Sequence, residues 1–187
     1  MVGVVGTTTF ALAPHYYLLS TAVMDIYVLE GTASRAEVQK LLECSCEIFE
    51  IDPNAAELEP PADISEWMMR MTEKNGEIVY HKDSCSDEIT ALVVTFRRSP
   101  DPSQLHIWIA GCKSAHRRKG IMNKLFEEIE RRASAQGYVL LTVNTYPEKF
   151  ANMPSFLNSR DYKVISTTPA TDSRDDLGVK LGYAKSL

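Results

Sequence analysis

The stretch that decides the fold begins Gln104-Leu105-His106-Ile107-Trp108-Ile109-Ala110-Gly111-Cys112, passes through Lys113-Ser114-Ala115-His116-Arg117-Arg118-Lys119-Gly120, and enters Ile121-Met122. The first nine residues are mostly apolar, with β-branched and aromatic types, and read as a strand. From Ile121 onward, Leu125, Ile129 and Ala133 recur every four residues with Met122 and Phe126 beside them, and Gly137 stands where a C-terminal cap belongs. That periodicity predicts an amphipathic helix. Glu127 with Arg131, and Glu128 with Arg132, are expected to form i,i+4 pairs on its wet face, each worth roughly 0.2–0.5 kcal/mol. Residues 113–124, at the junction, hold five Lys/Arg and no acid. Backbone N–H groups entering a helix N-terminus, a glycine that permits close approach and basic side chains around both make a seat for phosphate oxygens, and a pyrophosphate suits it. The plainer alternative is a solvated basic loop.

Working outward, Val139–Val143 reads as a strand of buried type, Met153–Ser159 as a short helix, Tyr162–Ser166 as a strand and Gly178–Ala184 as a last strand. Upstream, Ile26–Glu30 is a short strand, and Ser34 with Glu37 forms an S-x-x-E capping box that starts a helix over Arg35–Phe49. Prolines 53, 60 and 61 make a loop of Asp52–Pro61, and a second helix over Ile64–Lys74 stops at Asn75-Gly76. Glu77–Lys82, Glu88–Arg97 and Gln104–Cys112 then form an antiparallel meander. The order β-α-α-β-β-β-α-β-α-β-β predicts one mixed sheet with helices on its faces.

The strand, the R-x-x-G-x-M turn of Arg117, Gly120 and Met122, the amphipathic helix, the following strand and the later helix ending in Asp161-Tyr162 together resemble the GCN5-related N-acetyltransferase (GNAT) superfamily, over Asp25 to about Ser166. The resemblance implies an α/β fold with a mixed, mostly antiparallel sheet of six to seven strands flanked by about four helices. A domain-like pattern restarts at Met24, which gives a domain over 24–187 behind an N-terminal extension over 1–23; the resemblance implies direct transfer of an acetyl group from acetyl-CoA, as cosubstrate, to a primary amine of a small molecule or peptide. Ala110, Cys112, Arg117, Arg118, Lys119, Gly120, Ile121, Met122 and Asn144 would then contact the cofactor. The strand Gln104–Cys112 would splay from Val139–Val143 and expose backbone near Ile109–Cys112 to the pantetheine arm. His106 matches the strand position where histone-acetylating members carry a glutamate base, and an imidazole with pKa near 6.5 would suit that role; a packed histidine is the alternative. Three departures stand out: Met122 replaces a small residue, Asp161-Tyr162 replaces Gly-Phe, and Leu157 falls where many members place the tyrosine that protonates the leaving thiolate. Tyr146, just beyond the Val139–Val143 strand, is the remaining candidate acid. A non-catalytic acyl-CoA-binding module of the same fold is the alternative function.

Composition sets the bounds. The chain has 187 residues, 44% hydrophobic, 9% aromatic and 24% charged, with a net charge of −5. These are globular values that exclude a disordered or collagenous chain, and the acidic balance argues against a nucleic-acid partner. Cys44, Cys46, Cys85 and Cys112 lack metal-ligand spacing, so no metal site and a reducing, cytoplasmic setting are expected. The first 23 residues contain no Asp, Glu, Lys or Arg, yet neither a signal peptide nor a membrane span fits them. An apolar arm of this kind is expected to pack on its own domain or on a second copy, which leaves a homodimer open. Residues 41–69 carry eight acids (Glu43, Glu47, Glu50, Asp52, Glu57, Glu59, Asp63 and Glu66) and no Lys or Arg. They are either a rim that attracts a cationic acceptor or ordinary solubilising charge.

Overall fold

A computed structural model describes residues 25–52, 60–98, 101–169 and 178–187. The apolar arm, and Glu57 and Glu59 of the acidic stretch, lie outside these residues. The elements are β1 (Ile26–Glu30), α1 (Arg35–Phe49), α2 (Ile64–Glu73), β2 (Glu77–Lys82), β3 (Ile89–Arg97), β4 (Gln104–Cys112), α3 (Ile121–Ala135), β5 (Leu140–Thr145), α4 (Asn152–Ser159), β6 (Lys163–Thr168) and β7 (Lys180–Ser186). The predicted capping box forms: Ser34 Oγ accepts from the Glu37 N–H at 3.3 Å, and the Glu37 carboxylate accepts from the Ser34 N–H at 2.9 Å. Asp63 caps α2 by accepting from the Ser65 N–H at 2.8 Å. Gly137, at φ +83°, takes the left-handed turn that follows α3.

The seven strands form one sheet in the order β1-β2-β3-β4-β5-β7-β6. Every neighbouring pair is antiparallel except β4 and β5, which are parallel because α3 carries the chain back between them. Strand alternation sends Ala91 and Val93 of β3 into a cluster with Leu125, Phe126 and Ile129 of α3 and Leu157 of α4. It sends Leu92 and Val94 to the opposite face, into a cluster with Val38, Leu41 and Leu42 of α1 and Trp67 and Met71 of α2. β3 is therefore buried on both faces, with a helix layer on either side. Among the described residues no helix is long and apolar enough to cross a membrane.

Two expectations need correction. Val139 is not in a strand and is 59% exposed; β5 starts one residue later and continues to Thr145, held by β7 through Asn144↔Gly182 and Thr145↔Leu181. The i,i+4 pairs on α3 do not form either. Lys124 bonds Glu127 at 2.9 Å and Arg131 bonds Glu128 at 2.6 Å, both at i,i+3. Arg132 leaves the helix surface for Glu77 of β2 at 2.9 Å and Glu30 of β1 at 2.6 Å, where two carboxylates meet one guanidinium. It ties α3 to the sheet rather than decorating a wet face. Cys44, Cys46 and Cys112 are buried, as small hydrophobes.

Candidate active site

The parallel pair of β4 and β5 is short. Gln104 to Ile107 face Leu140 to Val143, and there the pairing stops. Beyond Ile107, β4 stays with β3 through Ile109↔Val94, Ala110↔Val93, Gly111↔Leu92 and Cys112↔Ala91, while β5 stays with β7. The cause is local: the β3–β4 register shifts between Val94 and Thr95, so that β4 carries Trp108 as an extra residue. A bulge of this kind bends and twists its strand. The two strands part, and one edge of Trp108–Cys112 has no strand partner, as the predicted splay requires.

At the wide end of the gap, Ala110 is half-buried and Cys112 buried against the α3 cluster. The chain then makes a short 3-10 turn over Ser114–His116, and two left-handed residues, Arg118 at φ 61° and Gly120 at φ 81°, swing it into α3 with Gly120 as N-cap. Of the five basic residues, Lys113 is committed to Glu88 at 2.8 Å and to Glu47, and Lys124 to Glu127. Arg117, Arg118 and Lys119 remain exposed around the helix N-terminus, with Arg117 Nε anchored to the Cys112 carbonyl at 3.1 Å. Ile121 is buried, and Met122 packs half-buried on the core, so its bulk is taken up by the hydrophobic cluster. This seat fits a pyrophosphate, and the free edge of β4 fits an extended amide-bearing chain: both present donors that the fold itself leaves unused.

At the closed end lies His106, one residue before the strands part. It is 6% exposed, and its Nδ1 is 2.8 Å from Thr142 Oγ1 on β5, its register partner. The Phe96 ring meets it edge-on at 5.4 Å. Burial, reinforced by the positive charges of Arg98, Lys180 and Arg70, pushes its pKa down to about 4. The expected ordinary imidazole pKa is therefore not met: His106 is neutral over the whole physiological range. His106 and Cys112 are roughly 20 Å apart along β4 at about 3.3 Å per residue, so the candidate residues line the gap from end to end.

Asn144 and Tyr146 stand on the other lip. Asn144 is half-buried on the same face as Thr142, its Oδ1 over Gly182, and Tyr146 is half-buried in the turn that follows β5, its carbonyl accepting from the Lys149 and Phe150 N–H groups. Phe150 reaches across to Phe49 of α1, ring centroids 5.8 Å apart and edge-on. Leu157 is 0% exposed inside the core, which leaves no proton donor at that position. Asp161 sits at φ 65°, the left-handed conformation for which glycine is the usual choice and which Asp tolerates; Tyr162 behind it is buried and donates its hydroxyl to Glu130 at 3.4 Å. His81 pairs with Thr90 at 2.6 Å, away from the gap. Among the described residues no group of His, Cys, Asp and Glu is placed to hold a metal ion.

No family model and no curated protein sequence matches the chain. Solved structures do. An acetyltransferase of the GNAT family from Staphylococcus aureus Mu50 superposes with TM-score 0.66 at 15% identity, covering 87% of this chain and 99% of that one. The chain has the GNAT fold. An acyl-CoA N-acyltransferase from Pseudomonas aeruginosa (TM-score 0.63, 12% identity, 87% and 99% covered) and an aminoglycoside 6'-acetyltransferase type Ii (0.64, 15%, 87% and 97%) share it.

Around this GNAT cleft the structure adds residues that the sequence reading passed over. Trp108, the bulge residue, packs on Trp67 at 5.7 Å, and the Arg70 guanidinium stacks over Trp108 at 4.0 Å and over Phe96 at 4.6 Å. The spacing of Glu66 and Arg70, bonded at 3.1 Å, was open to a helix reading, but the stacking depends on a bulge that no spacing announces. Among the described acids of residues 41–69, Glu47 pairs with Lys113 and Glu66 with Arg70, while Asp63 caps α2 and Glu43 bonds the neutral Gln39 at 3.2 Å, both keeping their charge.

Proposed function

We propose that the chain is a cytoplasmic, acetyl-CoA-dependent N-acetyltransferase that moves an acetyl group to a primary amine by direct transfer. The observation that carries this reading is the parallel pair of β4 and β5 that parts at Ile107 and Val143, with the Arg118–Gly120 turn feeding α3 at its wide end. The acetyltransferase and acyltransferase activities named for the neighbours sharing this fold support it.

Acetyl-CoA would supply an activated acyl group and a thiol able to leave. The chain's part is positioning and electrostatics. Arg117, Arg118, Lys119 and the N-terminal amides of α3 hold the pyrophosphate; the free edge of β4 at Ala110 and Cys112 holds the arm, and Asn144 borders it from β5. N–H groups of that edge would supply the donors for the thioester oxygen, where negative charge grows. An alkylammonium must lose a proton before its nitrogen can attack. That first proton leaves to solvent; once the C–N bond has formed the nitrogen still carries a second proton that is now far more acidic, and His106, neutral and oriented by Thr142, receives it as the thiolate departs. Tyr146 is the candidate that returns a proton to the departing sulfur; thiolates leave readily, so its contribution is modest.

Calorimetric titration with acetyl-CoA followed by thiol release over an amine panel tests the reading. Saturable binding with turnover is the expected result. Binding without turnover on any amine supports a non-catalytic acyl-CoA module, and no binding overturns both.

A further inference from the structure

The face of the sheet that α1 and α2 cover over β3 and β4 continues over β5, β7 and β6 without a described helix. Pairing across the strands shows what lies on it. Thr142 is opposite His106 and Ala184, Asn144 is opposite Gly182, Gly182 is opposite Ser166, and Lys180, two residues from Gly182, is opposite Thr168. Residues directly opposite share a face, so Thr142, Asn144, Ser166, Thr168 and Lys180 form a polar floor beside His106, with Lys163, opposite Ala184, at its outer edge. Gly182 lets Ser166 Oγ and Asn144 Oδ1 lean together over the backbone, since a Cβ there would come within 2.3 Å of that Oγ.

The charge around this floor is positive. Arg70, Arg98 and Lys180 all act on His106. Arg70 is partly balanced by Glu66, but its Nε is buried without a hydrogen-bond partner. Its guanidinium also occupies the faces of Trp108 and Phe96, so those rings are closed to a cationic ligand. The Glu148 carboxylate is turned onto Gly178, where any Cβ would overlap it. A diamine or polyamine brought here would place a second cation among three.

We propose that the acceptor is an amine that also carries a carboxylate, an amino acid in chemical class, whose anion is held by Lys180 and Arg70 over the face of β5 and β7 on which no described helix lies. This rests on the acetyltransferase reading and narrows it. The amino group then lies toward His106 and the strand gap, and the carboxylate takes the hydrogen bonds that Lys180 and the floor hydroxyls offer. An opposite charge placed among these cations also weakens the field that acts on the imidazole.

Matched pairs provide the test: L-lysine with cadaverine, L-leucine with isoamylamine, and L-phenylalanine with phenethylamine, each as substrate with acetyl-CoA and each, in N-acetylated form, titrated calorimetrically into CoA-loaded protein. The carboxylate-bearing member of at least one pair is expected to be preferred by tenfold or more in kcat/KM and in product binding. Lys180→Gln should remove that preference with the Kd for acetyl-CoA unchanged, and Lys40→Gln, exposed on α1, should leave it intact. Equal or better use of the decarboxylated members overturns the proposal, as does failure of every acetylated amino acid to bind protein that binds CoA. Loss at the earlier step, with no acetyl-CoA bound at all, overturns the acetyltransferase reading and takes this one with it.

Discussion

One face of one sheet behaves in two ways. Over β2 to β4 it is apolar and sealed: Ile78, Leu92, Val94 and Ile109 pack beneath Val38, Leu41 and Leu42 of α1 and Trp67 of α2. Over β5 to β7 it carries Thr142, Asn144, Ser166 and Lys180, and no described helix lies on it. The boundary is the bulge at Trp108 in β4. The first half is packed beneath helices and the second carries polar groups with no described helix over them, so on the proposed reading substitutions on either side of one residue should have opposite consequences.

The largest effect should come from the boundary itself. His106→Gln is expected to lower kcat by on the order of 10² to 10⁴ with little change in acetyl-CoA affinity, since general-base loss acts on the chemical step. Steady-state kinetics beside calorimetry reads both; an unchanged kcat would assign His106 to packing alone and move the boundary past it. Leu92→Ala, in the sealed half, should cost about 2–5 kcal/mol in denaturant unfolding, while the folded fraction binds acetyl-CoA normally. A cost below that range would mean the two halves are equally loose.

A third test uses pH. The folded-state pKa of His106 is depressed to about 4 from 6.5, so the unfolded chain binds the proton more tightly. Its contribution is therefore present in full above about pH 6.5 and is lost as the pH falls towards 4, a decline of about 3 kcal/mol that His106→Gln should abolish. In activity, kcat/KM reports free enzyme and free substrate, so after division by the fraction of acceptor present as free amine, the remaining acidic break should lie near 4 rather than at 6 to 7. With a carboxylate-bearing acceptor bound, the limb of kcat should lie higher, because the anion offsets Arg70, Arg98 and Lys180. The smallest effect belongs to the open half: Ser166→Ala should change stability by less than about 0.5 kcal/mol, and a larger loss would show that this face is also part of the scaffold.

Local signals made the scaffold legible. The capping box at Ser34 and Glu37, the four-residue repeat from Ile121 to Ala133 and the glycine at 137 each act within a few residues, and each forms as read. The Arg117–Gly120 turn was legible for the same reason. What eluded the sequence depends on register. That His106 would meet Thr142, 36 residues away, follows only once β4 and β5 are aligned as parallel neighbours, and burial then changes the chemistry of a residue whose type alone suggested a neutral-pH base. Arg132 shows the same limit: its helix offered Glu128, and tertiary structure supplied Glu77 and Glu30 instead. The acid-rich stretch was legible as charge, but the partners of Glu47 and Glu66, Lys113 and Arg70, were not.

The edge-on contact of Phe49 and Phe150 turns the gap between β4 and β5 from a slot into a hoop, because it joins the helix lying on one strand to the chain that leaves the other. A long, thin ligand can be laid sideways into a slot, but a hoop admits it only end-on or after unlatching. An aromatic pair of this geometry contributes about 0.5–1.5 kcal/mol, so the unlatched form is disfavoured by only some two- to twelvefold. A contact of that strength would be weak enough to open for a ligand and strong enough to slow both its entry and its escape. Association and dissociation of the cosubstrate should accelerate together in Phe150→Ala, leaving its Kd nearly where it was.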